Sequence, residues 1–230
     1  MPPADLKSSR YDVTSDPESM FRNKVFIEEA QKYPRVLECG CSNGFLSRLI
    51  SARGSRVVGI EIDREAAEQA RRVCARVLCL DLNDDDWTKS IQEEFDLVTF
   101  GDVLEHLVDP QATLRNARRL LAPGGSVLIC LPNVAHWSMR LKLLRGKFEY
   151  EPLGILAHTH LRFFTVHTAR TMLQGAGYRV VRFLPIYGGL VKSRLLPMWQ
   201  ELAAWLPNLL AVQMLFLAQP VPETHASESS

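Results

Sequence analysis

Acidic residues and glycines are spaced along the first half of the chain in a pattern that suits a ligand bearing both a cation and a ribose. Residues 35–44 read Arg-Val-Leu-Glu-Cys-Gly-Cys-Ser-Asn-Gly, an apolar β-type run that stops on Glu38, enters a small-residue turn and releases into a helical pattern over 45–53. Gly40 and Gly44 let the backbone approach a ligand closely, and the unpaired amides opening the next helix offer it donors. A dinucleotide fingerprint asks for Gly-x-Gly-x-x-Gly, to seat a pyrophosphate on that helix end. Counting from Gly40, its second and third places are Ser42 and Phe45, so the third glycine is missing. Glu38 would repel a pyrophosphate and suits an ammonium group, directly or through water. About twenty residues after Gly40, the run 56–62 reaches Glu61 and Ile62, the separation at which a strand-end carboxylate meets a ribose diol. Asp81 closes a third apolar run, where its carboxylate can accept from an adenine amino group and neighbouring Leu82 can touch the ring.

Strands and helices must place those groups. Residues 17–32 carry Phe21, Val25, Phe26 and Ala30 at helical spacing after Asp16, a candidate N-cap. Strand-type runs at 36–39, 56–62, 77–80, 95–100 and 126–131 alternate with helical stretches at 45–53, 65–73 and 111–121, the last ending at Ala122-Pro123-Gly124-Gly125. That rhythm predicts a parallel, doubly wound sheet with its ligand crevice at the strands' carboxyl ends, where Gly40, Glu61, Asp81 and Gly101–His106 fall together. A helix over 166–174, capped by Thr165, and β-rich runs at 178–186 and 211–218 close the domain.

In this order the motifs resemble class I S-adenosylmethionine (SAM) methyltransferases. The signs are a glycine loop of the Asp/Glu-x-Gly-x-Gly-x-Gly type with Ser42 replacing the middle glycine, the acid ending the second strand, and Asp81. Phe95-Asp96-Leu97-Val98 with Leu104-Glu105-His106-Leu107, and Leu121-x-Pro123-Gly124-Gly125 before the fifth strand, complete the pattern. Residues 131–140 and 159–165 resemble bacterial small-molecule methyltransferases related to the ubiquinone-type O-methyltransferases. The resemblance implies a Rossmann-like α/β fold: a seven-stranded sheet, mostly parallel with an antiparallel last strand, and helices on both faces. It also implies SAM as cofactor and S-adenosylhomocysteine as product, with no metal. The cofactor contacts it implies are Glu38, Gly40, Ser42, Gly44, Glu61, Ile62, Asp81, Leu82, Gly101 and Asp102.

Methyl transfer to a hydroxyl needs the nucleophile held on axis and its proton taken, so a base near neutral pKa is the group to seek. His136, His158 and His160 lie in 133–164, between the fifth strand and the next helix, which in this fold overhangs the methyl group. His160 is the first candidate and His106, in the turn after the fourth strand, the second. Asp102, Glu105 and His106 could bind a divalent ion, but a strand end entering a helical turn reads better as a cofactor-facing or capping element. Arg140, Lys142, Arg145 and Lys147, with Trp137 and Phe148, could receive an anionic acceptor. The function expected is O-methylation of a small molecule. The alternatives are a non-catalytic SAM-binding scaffold, methylation of nitrogen, carbon or a macromolecule, and a nicotinamide-dependent oxidoreductase.

At 230 residues and 47% apolar composition the chain can bury a real core, and a net charge of +1 gives no whole-chain case for nucleic acid or an anionic membrane. The five cysteines are an odd number, mostly in or beside strand runs, which reads as buried free thiols and a cytoplasmic setting. Cys39-x-Cys41 is not zinc spacing. The longest apolar stretch, 202–218, is broken by Pro207-Asn208 and is shorter than the roughly 20 residues of a membrane span. The expected organisation is a mobile segment 1–16, with Tyr11 as a lid candidate, and one domain 17–220 with substrate-side insertions at 133–164 and 188–208. A disordered tail, 221–230, follows. A helical or irregular insertion over 195–210 would pack on the sheet.

Overall fold

The computed structural model describes residues 17–187 and 205–222. A strand buried on both faces has to be covered by helices on each side, and a crossover must carry the chain back before a parallel neighbour can pair. The helices are α1 (Pro17–Ala30), α2 (Phe45–Ser51), α3 (Arg64–Ala70), α4 (Pro110–Ala117), α5 (Trp137–Leu144) and α6 (Val166–Gly175). The strands are β1 (Arg35–Cys39), β2 (Arg56–Glu61), β3 (Arg76–Cys79), β4 (Phe95–Gly101), β5 (Leu121–Pro132), β6 (Tyr178–Tyr187) and β7 (Ala211–Pro220). They form one seven-stranded sheet in the order β3-β2-β1-β4-β5-β7-β6. β1 to β5 pair in parallel, and β7 runs antiparallel to both its neighbours, β5 and β6. This is the expected Rossmann-like arrangement with the last strand reversed.

Successive residues on each strand feed opposite layers, because side chains alternate across a sheet. Val36, Val57, Leu97, Leu128 and Leu215 face a core with Phe26, Ile27 and Ala30 of α1 and Ile50 of α2. Leu37, Val58, Val98, Ile129 and Phe216 face the other core, with Leu114 of α4 and Leu173 of α6. Burying each such side chain contributes about 1.5–3 kcal/mol, so the sheet is held between two layers by many modest terms. Local chemistry sets the helix ends. Asp63 caps α3 by accepting from the Glu65 and Ala66 amides, Asp109 caps α4 ahead of Pro110, and Thr165 and Thr168 make a reciprocal capping box at α6. Tyr178 of β6, fully buried, donates its hydroxyl to Leu114 O at 3.0 Å and so ties the sheet's far edge to α4.

Several boundaries differ from the sequence reading. α3 stops at Ala70 rather than Val73, and α4 stops at Ala117, where the chain tightens into a 3₁₀ turn over Arg118–Leu120. The fifth strand starts well before residue 126, since Leu121 already pairs with Phe95. The Pro123-Gly124-Gly125 step is absorbed as an irregularity in the strand, with Gly124 at φ 78°. At Gly125 a Cβ would meet Ala122 O at 2.9 Å and Phe95 O at 3.1 Å, so only glycine fits that backbone approach. Asp16, Tyr11, the segment 1–16 and the tail from 223 lie outside the described residues, as does most of the 188–208 insertion; of it, Pro207–Leu210 forms a short helical turn. No helix among the described residues is long and apolar enough to cross a membrane. All five cysteines are free thiols; four are buried, and Cys79 is exposed.

Candidate functional site

The loop leaving β1 is pinned to β2 by two amides, Gly40 N at 2.8 Å and Cys41 N at 3.0 Å from Ile60 O. Three of its residues take left-handed backbone: Gly40 at φ 73°, Ser42 at φ 48° and Gly44 at φ 83°. A Cβ on Gly40 would lie 2.5 Å from Val103 Cγ2, and one on Gly44 would lie 2.5 Å from Val73 Cγ2. Both glycines are therefore required by space as well as by φ. Ser42, with no such exemption, is held in place by donating its amide to Glu61 Oε2 at 2.8 Å, while Glu61 Oε1 accepts from Asp63 N at 3.0 Å. The acid ending β2 thus clamps the loop ending β1. Glu38 is buried and accepts a short hydrogen bond from the Ser47 hydroxyl of α2; burial pushes its carboxyl up to about 8.

Asp81 lies just beyond β3 and accepts from Asn83 N at 2.9 Å and Asn83 Nδ2 at 3.0 Å, which shapes the following turn. Leu82 is buried, its carbonyl accepting from Thr113 Oγ1 at 3.1 Å, whereas Ile62 is 60% exposed and leaves an apolar side chain open beside Glu61. At the end of β4 the left-handed residue is Asp102, φ 56°, rather than Gly101, whose missing Cβ accommodates the Phe26 ring at 3.4 Å. The Asp102 carboxylate is ion-paired with Arg22 of α1 and accepts from Gln213 Nε2 of β7 at 3.0 Å. Glu38, Gly40, Ser42, Gly44, Glu61, Ile62, Asp81, Leu82, Gly101 and Asp102 are thus set at the carboxyl ends of β1 to β4. The set fits the cofactor that the resemblance implies: carboxylates at consecutive strand ends suit an ammonium and hydroxyl groups, and the loop leaves room for close approach. None of these groups carries a positive charge to hold a pyrophosphate.

The overhang is zipped onto the turn after β4. Glu105 O accepts from the amides of Leu161 at 2.8 Å and Arg162 at 3.0 Å, and the Arg162 guanidinium donates to Val108 O. His106 Nδ1 lies 3.0 Å from Thr159 O, and His160 Nδ1 lies 2.9 Å from Ile155 O. A carbonyl only accepts, so Nδ1 carries the proton in both rings and each Nε2 keeps its lone pair. The two rings meet edge to face with centroids 4.9 Å apart. Burial lowers both imidazole pKa values below their ordinary range and pushes the Glu105 carboxyl up to about 8. Glu105 is 1% exposed and neither of its carboxylate oxygens has a hydrogen-bond partner.

The grouping weighed from the sequence, Asp102 with Glu105 and His106, is therefore not the one the structure assembles. Asp102 is engaged by Arg22 and Gln213, and its place is taken by His160. Of the remaining histidines, His136 caps α5 by accepting from Ser138 N, and exposed His158 stacks on Tyr150. Lys142 is paired with Glu151, and exposed Arg140 donates to Ala135 O, which leaves Arg145 and Lys147 as exposed cations of the basic stretch with no side-chain partner among the described residues. Nothing in the sequence singles out Tyr150, and Phe163 stands there only as part of the 159–165 motif, without a role of its own. Phe163 lies 6.5 Å from His160 and 5.7 Å from Phe148, building an aromatic wall whose outer rings, Phe148 and Tyr150, are about half exposed.

A family model described as a methyltransferase domain matches residues 15–182. The chain is 27% identical over 150 residues to a ubiquinone biosynthesis O-methyltransferase of Aeromonas salmonicida, covering 64% of this chain and 63% of that protein. With the enzyme of the same name from Hydrogenovibrio crunogenus it shares 28% identity over 163 residues, 66% of each. The chain spans less than two thirds of the length of these relatives. Among solved structures, N-methyltransferase NodS from Bradyrhizobium japonicum, in complex with S-adenosyl-L-homocysteine, superposes with a TM-score of 0.63 at 17% identity, covering 95% of this chain and 94% of that one. Magnesium protoporphyrin IX methyltransferase from Synechocystis gives 0.60 at 14% identity, over 88% and 85%.

Proposed function

The chain belongs to the SAM-dependent methyltransferase family, and from that membership we propose that it transfers a methyl group from SAM to a hydroxyl of a small-molecule acceptor. The observation that carries this reading is the Glu61 clamp: a β2-end carboxylate fixes the left-handed Gly40–Gly44 loop while keeping lone pairs for a ribose diol. Glu38 faces the ammonium end, and Asp81 with Leu82 the adenine end. When bound, SAM supplies an electrophilic methyl on a sulfonium, which leaves as S-adenosylhomocysteine while a carbon–oxygen bond forms. His160 and His106 sit where the acceptor hydroxyl loses its proton, with free Nε2 lone pairs to receive it. Phe148, Tyr150 and Phe163 offer a flat apolar wall beside them, and Arg145 and Lys147 suit an acceptor with an anionic arm. O-methylation is also the activity named in the two curated relatives.

Isothermal titration with SAM tests the first half, with NADH as the competing ligand. Saturable SAM binding that falls at least tenfold in Glu61→Ala, and no NADH binding, is the expected result. Absence of SAM binding by folded protein at millimolar cofactor would remove the proposal. Mass spectrometry of a metabolite pool treated with the protein and methyl-labelled SAM identifies the acceptor.

A further inference from the structure

Among the described residues, Glu105 is the one whose carboxylate is buried with neither oxygen hydrogen-bonded. Isolating a carboxyl from water without a partner costs on the order of 1–3 kcal/mol as the acid and more as the anion. Yet both oxygens of Glu105 are buried and unpartnered among the described residues, and its main chain is fixed by the Leu161 and Arg162 amides. Such a group is stable when something it binds completes it. Its nearest chemistry-bearing neighbours are two imidazoles, and one ligating atom from each of Glu105, His106 and His160 lies within 4.8 Å of the other two. Atoms sharing one ion at bonds near 2.1 Å are roughly 3–4 Å apart, so small side-chain rotations close the set.

The second observation concerns the far side of each ring. Metal-ligating histidines almost always donate their other ring N–H to a carboxylate or a backbone carbonyl, which fixes the tautomer and the ring plane. His106 does so to Thr159 O at 3.0 Å and His160 to Ile155 O at 2.9 Å. These carbonyls belong to the same overhang, so one backbone segment orients both imidazoles. The carboxylate, in turn, comes from the turn onto which that segment is zipped.

We propose that Glu105, His106 and His160 bind one first-row divalent metal ion in the crevice. Two imidazoles and a carboxylate suit Mn²⁺, Fe²⁺, Co²⁺ or Zn²⁺, and three protein ligands leave positions open toward the crevice. This goes beyond the methyltransferase reading and rests on it only for the site's use. There the histidines act as ligands instead of as the base, and the ion lowers the pKa of an acceptor hydroxyl that binds it.

The test is Co²⁺ titration of the chelator-stripped full chain, followed by visible absorption, with free Mn²⁺ counted by electron paramagnetic resonance. SAM is left out of every arm, so a failed metal site and a failed methyl transfer are read separately. The wild type should take one ion per chain. His160→Ala and Glu105→Gln should each weaken binding at least tenfold, and His158→Ala should leave it unchanged. Glu105→Gln keeps the shape and removes the buried carboxyl, so its metal-free melting temperature should match or exceed that of the wild type. X-ray absorption of the Co²⁺-loaded wild type, which depends on no variant folding, should show two imidazoles in the coordination shell. No binding by the wild type, equal binding by the variants, or a shell without imidazole would each overturn the proposal.

Discussion

His106 and His160 are 54 positions apart in sequence, yet their rings meet at 4.9 Å and 74° because the segment around Thr159 is bonded to the turn around Glu105. In the function proposed above, both rings belong to the acceptor side and the β1 loop and strand-end acids to the cofactor side. His160→Ala should therefore lower kcat by on the order of 10²–10⁴-fold while SAM affinity stays within about twofold. Steady-state kinetics beside titration calorimetry separates the two effects. A parallel loss of SAM binding or of melting temperature would make His160 a bracing residue.

If Glu38 meets the ammonium group as proposed, it ties pH to cofactor binding. Its carboxyl titrates at about 8 in the folded protein against an ordinary value of 4.5, so the folded state holds a proton that the unfolded chain gives up earlier. The stability this contributes is complete below about 4.5 and is lost as pH rises through about 8. A cationic ammonium favours the ionised form, so SAM binding near pH 7 should release a proton. Calorimetry in buffers of differing ionisation enthalpy should detect that proton in the wild type and not in Glu38→Gln. Relative to that variant, the wild type should also lose melting temperature between pH 5 and 8.

Two left-handed glycines make a paired test. At Gly54, φ 100°, a Cβ meets nothing within 4 Å, so Gly54→Ala should cost only the backbone term, about 1–2 kcal/mol. At Gly40 the same term is joined by a Cβ 2.5 Å from Val103 Cγ2. Gly40→Ala should destabilise more than Gly54→Ala in urea melts, and it alone should weaken SAM binding. Equal costs would show that the loop yields freely.

Asn133, fully buried, donates Nδ2 to Ala211 O at 2.7 Å and Asn208 O at 3.0 Å, and accepts from Ala135 N at 3.0 Å. Asn133→Ala leaves those groups without their partner and should cost about 1–3 kcal/mol in a chemical melt. Asn133→Asp, which turns a carboxylate oxygen toward those two carbonyls in a buried site, should recover none of it at neutral pH.

The glycine loop and the strand-end acids were legible because the information is local: an acid closing an apolar run predicts its own position in a parallel sheet. The parallel, doubly wound character of the sheet followed from the same rhythm. What escaped was carried by the main chain. The zipper that brings His160 to His106 uses the carbonyls of Glu105 and Thr159 and the amides of Leu161 and Arg162, groups that every residue type offers alike. Asp102 was placed correctly at the end of β4, but its partners Arg22 and Gln213 are 80 and 111 positions away, and no pattern in the turn points to either. The early start of β5 was hidden because Pro-Gly-Gly reads as a break, whereas here it is an irregularity inside a strand.

The position of β7 between β5 and β6 has a consequence for synthesis. β6 leaves the ribosome before β7 yet has no sheet neighbour other than β7, so it must wait, and β5 waits with an uncovered edge. During that interval the apolar run Val127–Leu131 presents unpaired amides and carbonyls, a template for joining another nascent chain. Translation stalled before Ala211 should therefore yield aggregation-prone product, and this long-range pairing is expected to form late in folding. Arrival of Gln213 completes the sheet and reaches Asp102 in one stroke, so the crevice matures only when β7, the last strand, has been made.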